Sequence, residues 1–206
     1  MGKQQLINRM LSDASGIDSF KLETGNFSGD DFSQISEAMA ELSELPIYID
    51  DTPGLTVMEM RTKARRAAHD HEIGLIIVDY LQLMSGSSKR SMDNRVQEIS
   101  EISRGLKLIA RELNVPVIAL SQLSRTVETR SPQIPMLSDL RESGSIEQDA
   151  DIVMFLYRED YYNPDTERQN ITDLIVAKHR RGATDKVELY FDKARVRFMS
   201  LDTKHE

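Results

Sequence analysis

The stretch GLIIVDYLQLMSG, residues 74–86, carries an aliphatic run from Leu75 to Val78 that ends on one acid, Asp79, and then opens into small polar residues. A continuous β-branched run of this kind suits a strand buried on both faces of a parallel sheet. A parallel neighbour cannot follow through a tight turn and needs a crossover. After the polar stretch SSKRSMDNR (87–95), Ile99, Ile102, Leu106, Ile109 and Leu113 recur at helical spacing, and NVPVIALSQ (114–122) reads as the next strand. Residues 74–122 therefore form a strand–helix–strand unit, joined right-handedly across one face of a sheet.

Outward from this unit the pattern keeps alternating. MGKQQLINRMLSDASG (1–16) has Leu6, Ile7, Met10 and Leu11 at helical spacing, with Gly16 as a stop. DFSQISEAMAELSEL (31–45) repeats the signature through Phe32, Ile35, Met39 and Leu42, and PIYID (46–50) reads as a short strand. DDTPGL (50–55) is turn chemistry. It leads into a helix with Val57, Met60, Ala64 and Ala67 or Ala68 inward and Arg61, Lys63, Arg65 and Arg66 on a solvated face. DIVMFLY (151–157) reads as a further buried strand, TDLIVAKHRRGATDKVELYFD (172–192) as two strands around a glycine-containing tip, and VRFMSL (196–201) as a last strand. The expected fold is an α/β domain, parallel in the middle of its sheet and antiparallel at its C-terminal edge.

Composition narrows the class. A chain of 206 residues with 39% hydrophobic content supports one sizeable core, so 1–206 is read as a single domain. The net charge of −8 argues against a surface that grips nucleic acid everywhere, but leaves room for a local basic strip or a channel formed by several subunits. There is no cysteine, and His69, His71, His179 and His205 have no zinc-ligand spacing. No apolar run approaches the roughly 18 residues of a membrane span, and the N-terminus has no apolar signal core, so the expected setting is soluble and cytoplasmic.

In open sheets of this type ligands bind beyond the C-terminal ends of the strands. Asp79 ends one strand there, where a carboxylate can hold magnesium or its water shell beside a nucleotide phosphate. The alternative is a strand-terminal Asp that caps the next turn. Gln122 leaves the neighbouring strand at the same rim, where an amide can touch a terminal phosphate or serve as an ordinary polar exit. Lys178 and Arg180 in AKHRRG (177–182) project to one side of a continuing strand. Such a pair suits a phosphate offered by another subunit, or else a charged hairpin tip. SDLRESGSIEQDAD (138–151) reads as a polar loop, with Arg141 able to meet a phosphate and Gly144 able to let backbone approach a ligand; Glu142 lies between them.

GLIIVDYLQLM (74–84), RVQEISEISRGLKLIARELNVPVIALSQLSRTVE (95–128), LSDLRESGSIEQDADIVMFLYRED (137–160) and LIVAKHRRG (174–182) together resemble the C-terminal ATPase domain of bacterial replicative DNA helicases. This is the DnaB family, built on a RecA-like P-loop core. IYIDDTPGLTVMEMRTKARR (47–66) resembles it too, and the motifs stand in the family's order over nearly the whole chain. The resemblance implies that Asp79 is the Walker B acid near Mg2+ and that Gln122 senses the phosphate of ATP. It implies that Lys178 and Arg180 reach the nucleotide of a neighbouring subunit, Arg180 as an arginine finger. Arg141, Glu142 and Gly144 would belong to a loop facing single-stranded DNA in a homo-hexameric ring. ATP hydrolysis would drive translocation and duplex unwinding at the replication fork, with a helicase loader and primase as partners.

One expected part is missing from these residues. The only Gly-Lys pair is Gly2-Lys3, followed by Gln4, so no G-x-x-x-x-G-K-[ST] cradle is present. By resemblance, residues 1–11 match the helix after a strand that ends in a catalytic glutamate. That glutamate, the P-loop strand and helix, and the primase-binding domain would all precede Met1. The expectation is a truncated motor domain, inactive as an ATPase when isolated, with an unpaired sheet edge or apolar surface open to self-association. Two other readings stand beside it: a different RecA-like ATPase of the recombination or clock type, and a non-enzymatic module that joins or poisons a ring.

Overall fold

A computed structural model describes residues 2–86 and 95–201, with the backbone alone at 141–144. Apart from Arg95, the polar connection read at 87–95 lies outside the described residues, as does His205. The helices are α1 (Lys3–Ser15), α2 (Ser19–Thr24), α3 (Gly29–Glu44), α4 (Val57–Asp70), α5 (Arg95–Leu113), α6 (Gly144–Asp149) and α7 (Glu159–Tyr162). The strands are β1 (Ile76–Val78), β2 (Val117–Ala119), β3 (Ile152–Tyr157), β4 (Ile171–His179), β5 (Asp185–Asp192) and β6 (Arg197–Ser200). Three 3-10 turns span Leu81–Leu83, Arg125–Thr129 and Leu137–Ser143. The chain divides into two compact units: Met1–Asp51 with Arg158–Leu174 and Val187–Glu206, and Thr52–Tyr157 with Ile175–Lys186.

In the second unit β1 and β2 pair in parallel, with Ile76 opposite Val117 and Val78 opposite Ala119. Helix α5 makes the crossover between them. Its stripe of Ile99, Ile102, Leu106 and Ile109 is fully enclosed, together with Leu81 and Met84. Val57, Met60 and Ala64 of α4 pack against the same cluster, as the helical spacing predicts. Thr56 caps α4 by accepting from the Glu59 N–H while Glu59 returns a carboxylate to the Thr56 N–H, a reciprocal N-terminal box. The basic face of α4 is neutralised locally, since Arg61 Nε lies 2.7 Å from Glu112 and Arg65 also pairs with it. A second cluster joins Leu140, Val153 and Phe155 to Leu123, Leu137, Ile146, Ala150, Ile175 and Ala177.

In the first unit, α1 ends where Gly16 takes a left-handed φ of 71° and returns its N–H to Ser12. Arg195 Nε then donates to the Gly16 carbonyl at 2.6 Å. Asp160 is buried and ionically satisfied by Lys193 at 2.6 Å and Arg158 at 3.1 Å, and it accepts from the Asn170 N–H. β5 and β6 are antiparallel, with Leu189 opposite Ser200 and Asp192 opposite Arg197, as expected for the C-terminal edge. Their Phe191 and Phe198 rings lie 4.8 Å apart.

Three features differ from the sequence expectations. Residues 46–50 form no strand: Ile47 N–H turns back to the Leu45 carbonyl at 2.8 Å, and a strand exists only where a neighbour supplies a ladder. The parallel and antiparallel strands are hydrogen-bonded as separate sheets, β1–β2 and β3–β4–β5–β6, rather than as one. The strands read as buried on both faces are covered on one, with Ile77 61% and Leu156 57% exposed. Alternate residues point to opposite faces, and α5 covers only one face of β1 and β2.

Gly105 lies mid-helix because α4 presses on it: an added Cβ would overlap Val57 Cγ1 and approach Val57 Cβ to 3.2 Å. Gly105→Ala is expected to destabilise the fold by about 1–3 kcal/mol despite alanine's better helix propensity. Val57→Ala in the same chain should recover part of that loss. Urea unfolding of both variants checks this, and an equally stable single variant would disprove the close approach.

Candidate functional site

The rim above β1 and β2 is built by continuing their ladder past the strand ends. Leu120 N–H donates to the Val78 carbonyl and Leu81 N–H to the Leu120 carbonyl, both at 2.9 Å, which sets Asp79 opposite Leu120. Gln122 follows two residues later on the β2 side. The Asp79 carboxylate is exposed and makes no hydrogen bond or ion pair among the described residues. The turn after it has no side-chain cap, so the capping role weighed from the sequence is not used. The Gln122 side-chain amide is likewise exposed and unbonded among the described residues, only its backbone being engaged.

Residues that sequence reading passed over hold this rim. Gln82 Nε2 donates to Ser121 Oγ at 3.1 Å and its Oε1 accepts from the Gln122 N–H at 3.2 Å, which ties the two strand exits together. Glu98, buried on α5, accepts from the Gly86 N–H at 2.7 Å and pairs with Arg95. Arg95 in turn donates to the Gln82 carbonyl at 2.6 Å. A buried acid inside an otherwise apolar helical stripe was the available signal, because burying a carboxylate is costly unless partners satisfy it.

Lys178 and Arg180 do converge, and on a feature the sequence did not show. Lys178 Nζ donates to the carbonyls of Glu147 and Ala150, the latter at 2.8 Å. Arg180 Nη2 donates to the Gln148 carbonyl at 2.7 Å, and its Nη1 lies 3.4 Å from Asp151 Oδ1. Both cations thus cap the C-terminal end of α6, where unpaired carbonyls and the negative end of the helix dipole attract positive charge. Asp151 also pairs with Lys107; that bond first, and then the nearby Arg180 and Arg111, hold its carboxyl below the usual range against the opposing effect of burial. Among the described residues, neither Lys178 nor Arg180 bonds to Asp79 or Gln122.

The segment read as a polar loop at 138–151 is instead helical: a 3-10 turn at Leu137–Ser143 runs directly into α6. Leu137, Leu140 and Ile146 anchor it in the second cluster, which supplies the burial that a loop reading overlooked. Arg141 and Glu142 lie in the turn and Gly144 opens α6. Asp139 fastens the turn, accepting from Arg130 at 2.8 and 3.1 Å and from the Met136 N–H at 2.8 Å. The Arg130 hydrogen bonds hold the Asp139 carboxyl below its usual range, with the Met136 N–H adding to them and burial opposing.

Comparison with known proteins adds the lineage. The family model described as DnaB-like helicase C terminal domain matches residues 1–200. The chain belongs to that family. It is 54% identical over 206 residues to the replicative DNA helicase DnaC of Bacillus subtilis (strain 168), and 52% identical over 206 residues to DnaB of Geobacillus stearothermophilus. In each case all of this chain is covered but 45% of the relative, so the chain spans about half the length of these curated relatives. Among solved structures, an ATPase domain superposes with a TM-score of 0.93 at 44% identity, over 98% of this chain and 72% of that one. A DnaB-like replicative helicase, whose structure was described with its interactions with primase, matches with the same score and identity over 98% of this chain and 49% of its own. The RecA-like α/β fold of the DnaB family, expected from the sequence motifs, is borne out by these neighbours.

Since the folded state lowers the Asp139 pKa, the pair contributes stability above the unfolded value near 3.8, and that contribution is lost as pH falls through the folded value. Asp139→Asn is expected to cost about 2–3 kcal/mol at neutral pH, by removing the buried charge that pairs with Arg130 and leaving its guanidinium the Ile134 carbonyl. It should also flatten the fall in stability below about pH 4. Thermal melts across pH check both, and an unchanged acid limb would argue against the pair.

Proposed function

We propose that these residues form the later part of a replicative DNA helicase motor, in which ATP hydrolysis drives translocation on single-stranded DNA and duplex unwinding at the replication fork. The observation that carries this reading is Asp79: an exposed strand-terminal carboxylate without a structural partner among the described residues, placed by backbone pairing at the same rim as Gln122. Each half of such a site would be idle in a protein that used this rim only for folding.

The residues present fit part of a nucleotide site. Mg2+ commonly takes one or two carboxylates and completes its shell with water and phosphate oxygens. Asp79 supplies one carboxylate, and among the described residues no group of three acidic, His or Cys side chains offers a fuller cage. The phosphate cradle does not fit these 206 residues: Gly2 precedes α1 as its N-cap and the Lys3 N–H donates to Asp51, so Gly2-Lys3 serves a helix start. When bound, ATP with Mg2+ would supply the phosphoryl cleavage that drives the motor. Asp79 would hold the metal or its water, and Gln122 would contact the terminal phosphate. Lys178 and Arg180 would reach the nucleotide of the next subunit in a homo-hexamer, Arg180 as the arginine finger. The segment of Arg141, Glu142 and Gly144 would face single-stranded DNA. A loader and primase are the proposed partners, and the cytoplasm the proposed compartment. A second reading, a module that joins a ring without hydrolysing ATP, is favoured by the uncovered apolar residues of β1 and β3.

The 206 residues alone are expected to show no Mg2+-dependent ATP hydrolysis, and robust hydrolysis by pure material would overturn the account of the cradle. In a chimaera that carries them in place of the matching stretch of the Bacillus subtilis relative, hydrolysis should be present. There, Asp79→Ala and Arg180→Ala should each lower kcat by about 10²-fold or more. A chimaera that binds DNA and a labelled ATP analogue yet ignores both substitutions would leave the ring-joining module as the better reading.

A further inference from the structure

We propose that α6 is a switch element: Lys178 and Arg180 alternate between capping it in their own chain and binding a nucleotide phosphate in a neighbouring one, and the 141–144 segment follows. The proposal rests on the preceding reading of those two residues as a trans pair and of 141–144 as DNA-facing. It adds how one would be transmitted to the other.

Helix α6 has six residues, too few to persist without tertiary support. Its C-terminal carbonyls are satisfied by the two cations: Glu147 and Ala150 by Lys178 Nζ, and Gln148 by Arg180 Nη2. The helix also ends on an acid, Asp149, which the dipole disfavours at that end. Cationic capping at this end offsets that penalty.

The donors that hold α6 are those a phosphate would take. Lys178 already spends donors on two neutral carbonyls, and Arg180 spends Nη2 on a third and Nη1 on Asp151. For both cations a phosphate is a charged acceptor, whereas the carbonyls of α6 are neutral, so it would draw both side chains away. Asp151 opposes this, and its sharing with Lys107 leaves Arg180 the longer of its two pairs. With its cap removed α6 would loosen. Ser143 and Gly144 are consecutive, with no linker between the 3-10 turn and the helix, so the displacement would pass directly to 141–144.

The test uses the chimaera described above and hydrogen exchange at the Ala150 amide, which donates to the Ile146 carbonyl at 2.9 Å just past the C-terminal end of α6. Adding a non-hydrolysable ATP analogue with Mg2+ should speed this exchange about tenfold, the effect of losing charge-assisted caps. Lys178→Met should speed it similarly without nucleotide. The wild-type comparison stands by itself should that variant fail to assemble. Unchanged Ala150 exchange on adding analogue, while Arg180→Ala abolishes hydrolysis, would overturn the switch and leave the trans pair intact. Wild-type hydrolysis by Arg180→Ala would overturn the trans reading itself.

Discussion

The enclosure of one helical stripe governs the second unit. Ile99, Ile102, Leu106 and Ile109 of α5 are removed from water between the β1–β2 pair, α4 and the turn carrying Leu81 and Met84. Each such side chain contributes about 1.5–3 kcal/mol of burial, far more than the three-residue ladder of β1 with β2 could supply. The parallel pairing depends on this stripe because the crossover that parallel strands require is the stripe itself. Asp79 and Gln122 share a rim because α5 fixes both strands from the same side.

Polar anchoring then refines what burial makes possible. Glu98 stands on the buried side of α5 yet reaches the Gly86 N–H, and Arg95 and Gln82 complete the link to the strand exits. The same arrangement recurs at Asp139 with Arg130, where a buried carboxylate fixes the turn that precedes α6. In both places a helix or turn that carries candidate site residues is held by an ionised group whose partners are local. The side chains proposed for chemistry, Asp79 and Gln122, are left out of these networks.

Lys178 and Arg180 join the two themes. Lys178 stands near the end of β4 and Arg180 just past it, and α6 lies where both can reach its carbonyls. A cation that caps a helix end is a structural part, and the same cation offered a phosphate is a functional one. The choice between the roles is set by what stands within reach.

Much was legible from residue pattern. The aliphatic run ending on Asp79, the stripe of α5 and the glycine-containing tip after Arg180 fixed the order of the elements, and long family-like motifs indicated the lineage. Periodicity encodes which residues of a helix or strand face the same way, so these features need no knowledge of neighbours. Other features depended on tertiary neighbours. PIYID has strand composition but no ladder, Ile77 and Leu156 are apolar but uncovered, and 138–151 is polar yet helical because Leu137, Leu140 and Ile146 find a core. The capping of α6 by Lys178 and Arg180 likewise joins residues some thirty positions apart, a pairing that no local pattern encodes. Local pattern determines what a segment can form and which side it turns inward, whereas pairing, coverage and charge partners are set by whatever the rest of the chain brings alongside.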